Sequence, residues 1–169
     1  VSDYGRVLDV CCGSRAFYFD KSDARVFFCD VRRESVTVTD RTQGNRSGVR
    51  RIDIRPDFQC DFRQLPWADG SFDLVVFDPP HLVRAGKRSW LAAKYGRLSE
   101  SWREDIARGF SECFRVLRTG GTLIFKWCEV QVALADVIEL AKQKPLFGNK
   151  NPKGAGTHWV CFIKSGGAR

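Results

Sequence analysis

The stretch Ser71-Phe72-Asp73-Leu74-Val75-Val76-Phe77-Asp78-Pro79-Pro80-His81 constrains the fold more than any other part of the chain. Leu74 to Phe77 is an unbroken apolar run, the pattern of a strand covered on both faces, as in a parallel sheet. Two successive prolines offer no backbone N–H and cannot continue a ladder, so the chain must leave the sheet at Asp78 in a stiff, extended turn. Asp78 is thereby left at the strand's carboxyl edge, where open α/β sheets bind ligands. Alone, the pattern is equally that of an acid capping a turn beside two loop prolines.

The motif of a strand that ends at an acid recurs. Val7-Leu8-Asp9-Val10 runs into Cys11-Cys12-Gly13-Ser14-Arg15, a strand-to-loop transition, and Ala24-Arg25-Val26-Phe27-Phe28-Cys29 ends at Asp30. Pro56-Asp57-Phe58-Gln59-Cys60 ends at Asp61, followed by Phe62-Arg63-Gln64-Leu65-Pro66-Trp67, and Asp69-Gly70-Ser71 is a tight turn into the Leu74–Phe77 strand. A strand-end carboxylate can accept from both hydroxyls of a ribose, although strand-end acids also serve as caps. A phosphate-binding dinucleotide loop fits worse, because neither G-x-G-x-x-G nor G-K-[ST] occurs.

In this order the motifs resemble class I S-adenosylmethionine-dependent methyltransferases, and Asp78-Pro79-Pro80-His81 resembles the Asp-Pro-Pro-aromatic motif of members that methylate amino groups, with His81 in the aromatic place. The resemblance spans Val7 to Lys164. It implies an α/β, Rossmann-like fold: a mostly parallel twisted sheet with helices on both faces and an antiparallel C-terminal strand. It implies S-adenosyl-L-methionine as cofactor, bound by Asp9, Cys11, Cys12, Gly13 and Ser14 in the first loop, by Asp30 at the ribose, and by Asp61 and Phe62 at the adenine. Of the alternating glycines usual in that loop only Gly13 is present, with Cys11 and Arg15 where others often stand. The implied reaction is methyl transfer to an exocyclic amine, most often adenine N6 in DNA or RNA. Asp78, Pro79, Pro80 and His81 carry over as catalytic residues: the Asp78 carboxylate and Pro79 carbonyl accept the amine's hydrogens, and a ring at 81 stacks on an extruded base.

Elsewhere the pattern predicts a short helix between Gly13 and Asp30, packed down by Phe17, Tyr18 and Phe19, and a β-hairpin insertion around 34–54 with Arg41, Arg46, Arg50 and Arg51 towards its tip. A helix capped by Ser99 or Ser101 runs to about Leu117 and is ended by Thr119-Gly120-Gly121, before a strand Thr122–Trp127 and a helix Val130–Lys144 broken by Pro145. Pro145-Leu146-Phe147 and Thr157–Lys164 form a final antiparallel pair around a basic, glycine-rich segment, with His158 structural.

Length and charge bound the partners. The 169 residues suffice for one domain, 1–169, and leave no room for a conventional target-recognition module, so target choice falls to the hairpin, the loops or a protein partner. A net charge of +8 favours a polyanion, and nucleic acid, DNA or RNA, is the natural candidate. Arg84, Lys87, Arg88 and Lys94, interleaved with Trp90 and Tyr95, are the candidate contacts: cations for phosphates, rings for an unpaired base or for anchoring the loop. The seven cysteines are odd in number and scattered, with Cys29, Cys60, Cys128 and Cys161 in apolar runs, which predicts free thiols and a reducing cytoplasm. Adjacent Cys11-Cys12 with only two histidines in the chain make a zinc site a poor expectation. No signal peptide or membrane-length apolar run is present, and a start at Val1 without Met is expected of a trimmed chain. Methylation of a small molecule or a protein, and a catalytically inactive cofactor- or nucleic-acid-binding module, remain as alternatives.

Overall fold

The computed structural model describes residues 6–86, 89–149 and 156–166. In chain order its elements are β1 (Val7–Asp9), β2 (Val26–Asp30), β3 (Glu34–Thr39), β4 (Val49–Ile54), β5 (Phe58–Gln59), β6 (Phe72–Phe77), α1 (Trp90–Tyr95), α2 (Trp102–Val116), β7 (Leu117–Cys128), α3 (Leu134–Ile138), β8 (Phe147–Gly148) and β9 (Thr157–Ile163). Seven strands form one sheet in the order β5-β2-β1-β6-β7-β9-β8. The first five in that order run parallel, and β9 and β8 join antiparallel. This is the mostly parallel architecture with antiparallel C-terminal strands that the sequence predicts. From β1 the chain builds outward to β2 and β5, then returns to β1's other side with β6 and β7. The carboxyl ends of β1 and β6 therefore flank the point where strand order reverses, the place where such sheets leave a crevice.

The core forms where strand alternation meets a helical stripe. Val75 and Phe77 of β6, Leu123, Phe125 and Trp127 of β7, and Val160 and Phe162 of β9 are buried against Ile106, Phe110, Cys113 and Phe114 of α2. The four helix positions recur at the spacing that puts them on one face. Phe110 is the hub, its ring 4.8 Å from Phe125, 5.4 Å from Phe77 and 6.0 Å from Phe162. Gly109 allows this approach: a Cβ there would lie 2.6 Å from Phe77 Cζ and 2.7 Å from Phe62 Cδ2. Because side chains alternate along β7, Lys126 points away from the face that buries Phe125 and Trp127.

β3 and β4 pair antiparallel as the expected hairpin, Glu34 opposite Ile54 through Thr39 opposite Val49. Other expectations are corrected. No helix occurs between Gly13 and Asp30: Arg15 sits at φ +54°, and the Asp20 and Asp23 carboxylates accept the backbone N–H of Ser22 and Arg25, so the segment is a series of turns. The Val130–Lys144 helix shrinks to α3 and a 3-10 turn at Glu139–Ala141, because the Gln131 side-chain oxygen accepts from Val83 and Arg84 and ties that stretch to the loop after β6. Thr119-Gly120-Gly121 does not separate α2 from the next strand. β7 begins at Leu117, and the register shifts from Phe72 opposite Leu117 to Leu74 opposite Thr122, so the glycines form an irregularity within the strand.

Cys29 and Cys60, expected as free thiols, are joined as a disulfide with Cα atoms 6.1 Å apart. They sit in β2 and just after β5, one residue before Asp30 and Asp61; pairing of two separate strands brought them together. Cys12, Cys113 and Cys161 are buried free thiols, as expected of small hydrophobes. Among the described residues no helix is long and apolar enough to cross a membrane.

Candidate active site at the carboxyl edge of the sheet

The turn after β1 forms one wall of a cleft. Asp9 Oδ1 accepts the Cys11 N–H at 3.0 Å, and the Cys12 N–H donates to the Cys29 carbonyl at 2.8 Å, which pins the turn to β2. Gly13 has φ +49°, a conformation natural to glycine, and its N–H donates to Asp30 Oδ2 at 3.0 Å. Arg15, where another glycine is usual, takes φ +54° itself and is held there. Its guanidinium donates to the Lys21 and Arg55 carbonyls, pairs with Asp57 Oδ1 at 2.8 Å and lies 3.8 Å from the centre of the Phe28 ring. The glycine-poor loop is thus fixed by side-chain anchors.

A clasp on Asp30 closes the cleft from above. Asp30 Oδ1 accepts the Arg32 N–H at 2.9 Å and Arg32 Nε at 3.2 Å, while Arg32 Nη1 reaches the Ala93 carbonyl at 3.0 Å. The end of α1 is thereby tied to the end of β2, and Lys94 and Tyr95 are brought over the cavity. Cys11, Cys12, Gly13, Ser14, Asp30, Phe62, Asp78 and Pro80, all expected at the site, line this cleft together with Phe17, Arg32, Lys94, Tyr95 and Lys126. It encloses about 910 Å³, its solvent-open mouth included.

Three of the expected acids are placed differently from one another. Asp9 is fully buried beneath the cleft. Among the described residues neither its Oδ2 nor the Tyr18 hydroxyl has a partner at full hydrogen-bond geometry, yet the hydroxyl lies close enough to favour the carboxylate. Burial pushes the Asp9 carboxyl up to about 7, against the Cys11 N–H and the Tyr18 hydroxyl, with the charges of Asp78 and Asp30 adding to the rise. Asp61 does not line the cleft: both its oxygens accept from Arg63, at 2.6–3.0 Å, which holds the carboxyl below its usual range. Asp78 does line it, and its Oδ2 receives Lys126 Nζ at 2.6 Å. Burial raises the Asp78 carboxyl, opposed by the Lys126 ammonium.

His81 is buried behind the cleft, its ring 5.1 Å from Tyr95 and 6.3 Å from Trp127, and neither it nor Pro79 lines the cavity. Burial, and then the Lys126 charge, lower the imidazole to about 4, so it is neutral at neutral pH. The rings that line the cleft are Phe17, Phe62 and Tyr95, of which Tyr95 packs directly on His81. Of the other candidate nucleic-acid residues, Trp90 and Lys94 share α1 with Tyr95. Arg84 is bound through its backbone to Gln131, Trp90 lies under the Arg50 guanidinium of the hairpin at 4.4 Å, and Lys94 Nζ lies 4.7 Å from the Tyr95 ring centre. Lys87 and Arg88 lie outside the described residues, as does most of the basic segment 148–156. A shallow depression lined by Arg15, Lys21, Arg51 and Arg55 adjoins the Gly13–Ser14 turn.

Sequence reasoning passed over Lys126 and Arg32. A signal for Lys126 was present: one charged residue inside the apolar run Leu123-Ile124-Phe125-Lys126-Trp127 needs a partner. Arg32 gave none, because its role depends on where α1 lies.

In structure the chain is similar to the PH0226 protein of Pyrococcus horikoshii OT3, at 16% identity over 95% of this chain and 82% of that one, with a TM-score of 0.59. It is similar to the N-methyltransferase NodS of Bradyrhizobium japonicum WM9, at 13% identity over 96% and 86%, with a TM-score of 0.56. It is also similar to the 1,6-didemethyltoxoflavin-N1-methyltransferase of Burkholderia thailandensis, solved with 1,6-didemethyltoxoflavin and S-adenosylhomocysteine, at 15% identity over 96% and 72%, with a TM-score of 0.53. The sequence matches no protein-family model and no curated protein.

Proposed function

The fold being that of class I S-adenosylmethionine-dependent methyltransferases, we propose that the cleft binds S-adenosylmethionine and that the protein methylates an exocyclic amine of a nucleobase, adenine N6 first, in DNA or RNA. The observation that carries this reading is that Asp30 and the Gly13 turn line the same cleft as Asp78 and Pro80, at the switch point of the sheet.

The residues present suit that cofactor. Asp30 can accept from ribose hydroxyls: of its lone pairs, those not met by Gly13 and the shorter Arg32 bonds face only a 3.5 Å contact from Arg32 Nη2, which a hydroxyl can displace. Phe62 and Pro80 supply apolar walls for a purine, and Cys11 to Ser14 supply backbone at close range. When bound, the cofactor supplies an electrophilic methyl group. The chain's own residues then have the task of presenting the amine. An aromatic amine is a poor nucleophile because its lone pair is delocalised, and acceptors that bond its hydrogens favour the pyramidal form; Asp78 lines the cleft as one such acceptor, and the motif implies the Pro79 carbonyl as the second. Tyr95 takes the stacking role that the motif assigns to position 81, with His81 packed behind it as support.

The net charge of +8 favours the polyanionic substrate. Target choice beyond the base falls to the hairpin, α1 or a protein partner. Methylation of a small aromatic amine is the second reading, favoured by Arg32 holding α1 over the cleft. One experiment separates them: incubation with methyl-labelled cofactor, random-sequence DNA and RNA, and separately a panel of small aromatic amines. Label in polynucleotide supports the first reading. Label only in small amines supports the second, and calorimetric cofactor binding without transfer to either would leave a binding module.

A further inference from the structure

Lys126 is a charged group of the cleft, paired directly with Asp78, that the methyltransferase motifs leave without a role. Its ammonium carries three donors, and among the described residues its only hydrogen-bond partner is Asp78 Oδ2, at 2.6 Å. Both side chains are nearly out of water, 18% exposed for Lys126 and 12% for Asp78. The ammonium lies 5.5, 5.7 and 6.0 Å from the centres of the Phe17, Trp159 and Tyr95 rings. Trp159 is directly opposite Lys126 across the β7–β9 ladder and supports Phe17 edge-on at 5.2 Å. The cleft therefore presents Asp78 Oδ1 and two ammonium donors, none of them with a hydrogen-bond partner among the described residues, together with the Phe17 and Tyr95 rings that line the same cavity. Removing a lysine and a carboxylate from water is costly, and their mutual pairing satisfies only part of their hydrogen-bonding capacity.

We infer that Lys126 and Asp78 act as one recognition pair: Asp78 accepts from the target amine while Lys126 donates to the ring nitrogen beside it. Lys126 is thus a specificity-determining residue, and the substrate is a planar heterocycle whose amino group adjoins an unprotonated ring nitrogen. Adenine offers that pair as N6 with N1 or N7, and cytosine as N4 with N3. On guanine the amino group adjoins a protonated N1, and its only neighbouring acceptor, N3, lies on the sugar side. The inference rests on the nucleobase reading above and narrows it to these two bases.

The test couples an atom of the enzyme to an atom of the substrate. Methyl transfer is measured on random-sequence DNA and RNA carrying adenine, 1-deazaadenine or 7-deazaadenine, and cytosine or 3-deazacytosine, for the parent protein, K126R and K126M. For the parent, removing the contacted ring nitrogen should lower kcat/KM by about 10- to 100-fold, the effect of leaving one buried donor unpaired. K126M should lose a comparable factor on the natural base and show no further loss on the deaza base, and K126R should keep part of the discrimination. Cofactor affinity measured by calorimetry should be the same in all three. If the parent methylates every deaza analogue as fast as its natural base, the inference is overturned without a variant being needed. It is also overturned if K126M, folded by circular dichroism, discriminates as the parent does. Transfer by the parent to no polynucleotide at all rejects the nucleobase reading and the inference with it. Transfer to polynucleotide without coupling to Lys126 rejects the inference alone.

Discussion

Replacing Asp9 by asparagine should remove a pH dependence of stability that its burial imposes. The carboxyl is entirely buried, Oδ1 accepts one N–H from Cys11, and beside Oδ2 the described residues place only the Tyr18 hydroxyl, short of full hydrogen-bond geometry. Burial raises its folded-state value to about 7 from an ordinary 3.8. A raised acid holds, between those limits, a proton that the unfolded chain has released. Stability must then fall as pH rises from about 4 to about 7 and level off beyond. A span of about three pH units at about 1.4 kcal/mol each sets the loss at ~4 kcal/mol. Asparagine has the same shape, keeps an acceptor for the Cys11 N–H and places an amide donor beside the Tyr18 hydroxyl, but does not titrate. His81 is shifted the opposite way, to about 4, so its contribution is lost as pH falls from about 6.5. That slope is common to both proteins and cancels in their difference. Urea unfolding of parent and Asp9→Asn at intervals from pH 4.5 to 8 is the assay. The stability advantage of Asp9→Asn should grow steadily with pH and reach a plateau above about 7. A difference that stays constant over this range would show that Asp9 is not held protonated by burial.

Three further outcomes are expected. Asp30→Ala should weaken S-adenosylmethionine binding by on the order of 1.5–3 kcal/mol, the worth of hydrogen bonds to a charged group, and an unchanged calorimetric affinity in a folded variant would remove Asp30 from the site. Asp78→Asn should retain cofactor affinity but lower turnover by about a hundredfold, since it replaces an acceptor by donors that face the amine's own hydrogens; turnover at the parental rate would make the acid structural. Gly109→Ala gains helix propensity of about 1 kcal/mol, but its Cβ meets Phe77 and Phe62 at 2.6–2.7 Å, so a net destabilisation of roughly 1–2 kcal/mol and a lower Tm are expected; a stabilised variant would mean that α2 has room to spare.

The sequence by itself determined the elements whose signals are local. Leu74–Phe77 stopped by two prolines, Val26–Cys29 stopped by Asp30, and the alternating threonines and valines before a turn-rich stretch specify strands, an edge and a hairpin from their own periodicity and backbone chemistry. The apolar stripe of α2 is legible in the same way. What depends on partners far along the chain was not legible. Gln131 reaches back to Val83 and Arg84 and shortens a helix that propensity alone would extend. Cys29 meets Cys60 only because β2 and β5 pair. His81 has the sequence position of a stacking ring, yet burial against Trp127 places it behind Tyr95, a residue that reaches the cleft only because Arg32 ties α1 to Asp30. Lys126 became a candidate for base recognition only when strand order set it beside Asp78. Periodicity and turn chemistry act over a few residues and are written into the chain. Which charge neutralises which, and which ring faces the cavity, follow from how separate strands are registered, and that is decided by the packing of the whole sheet.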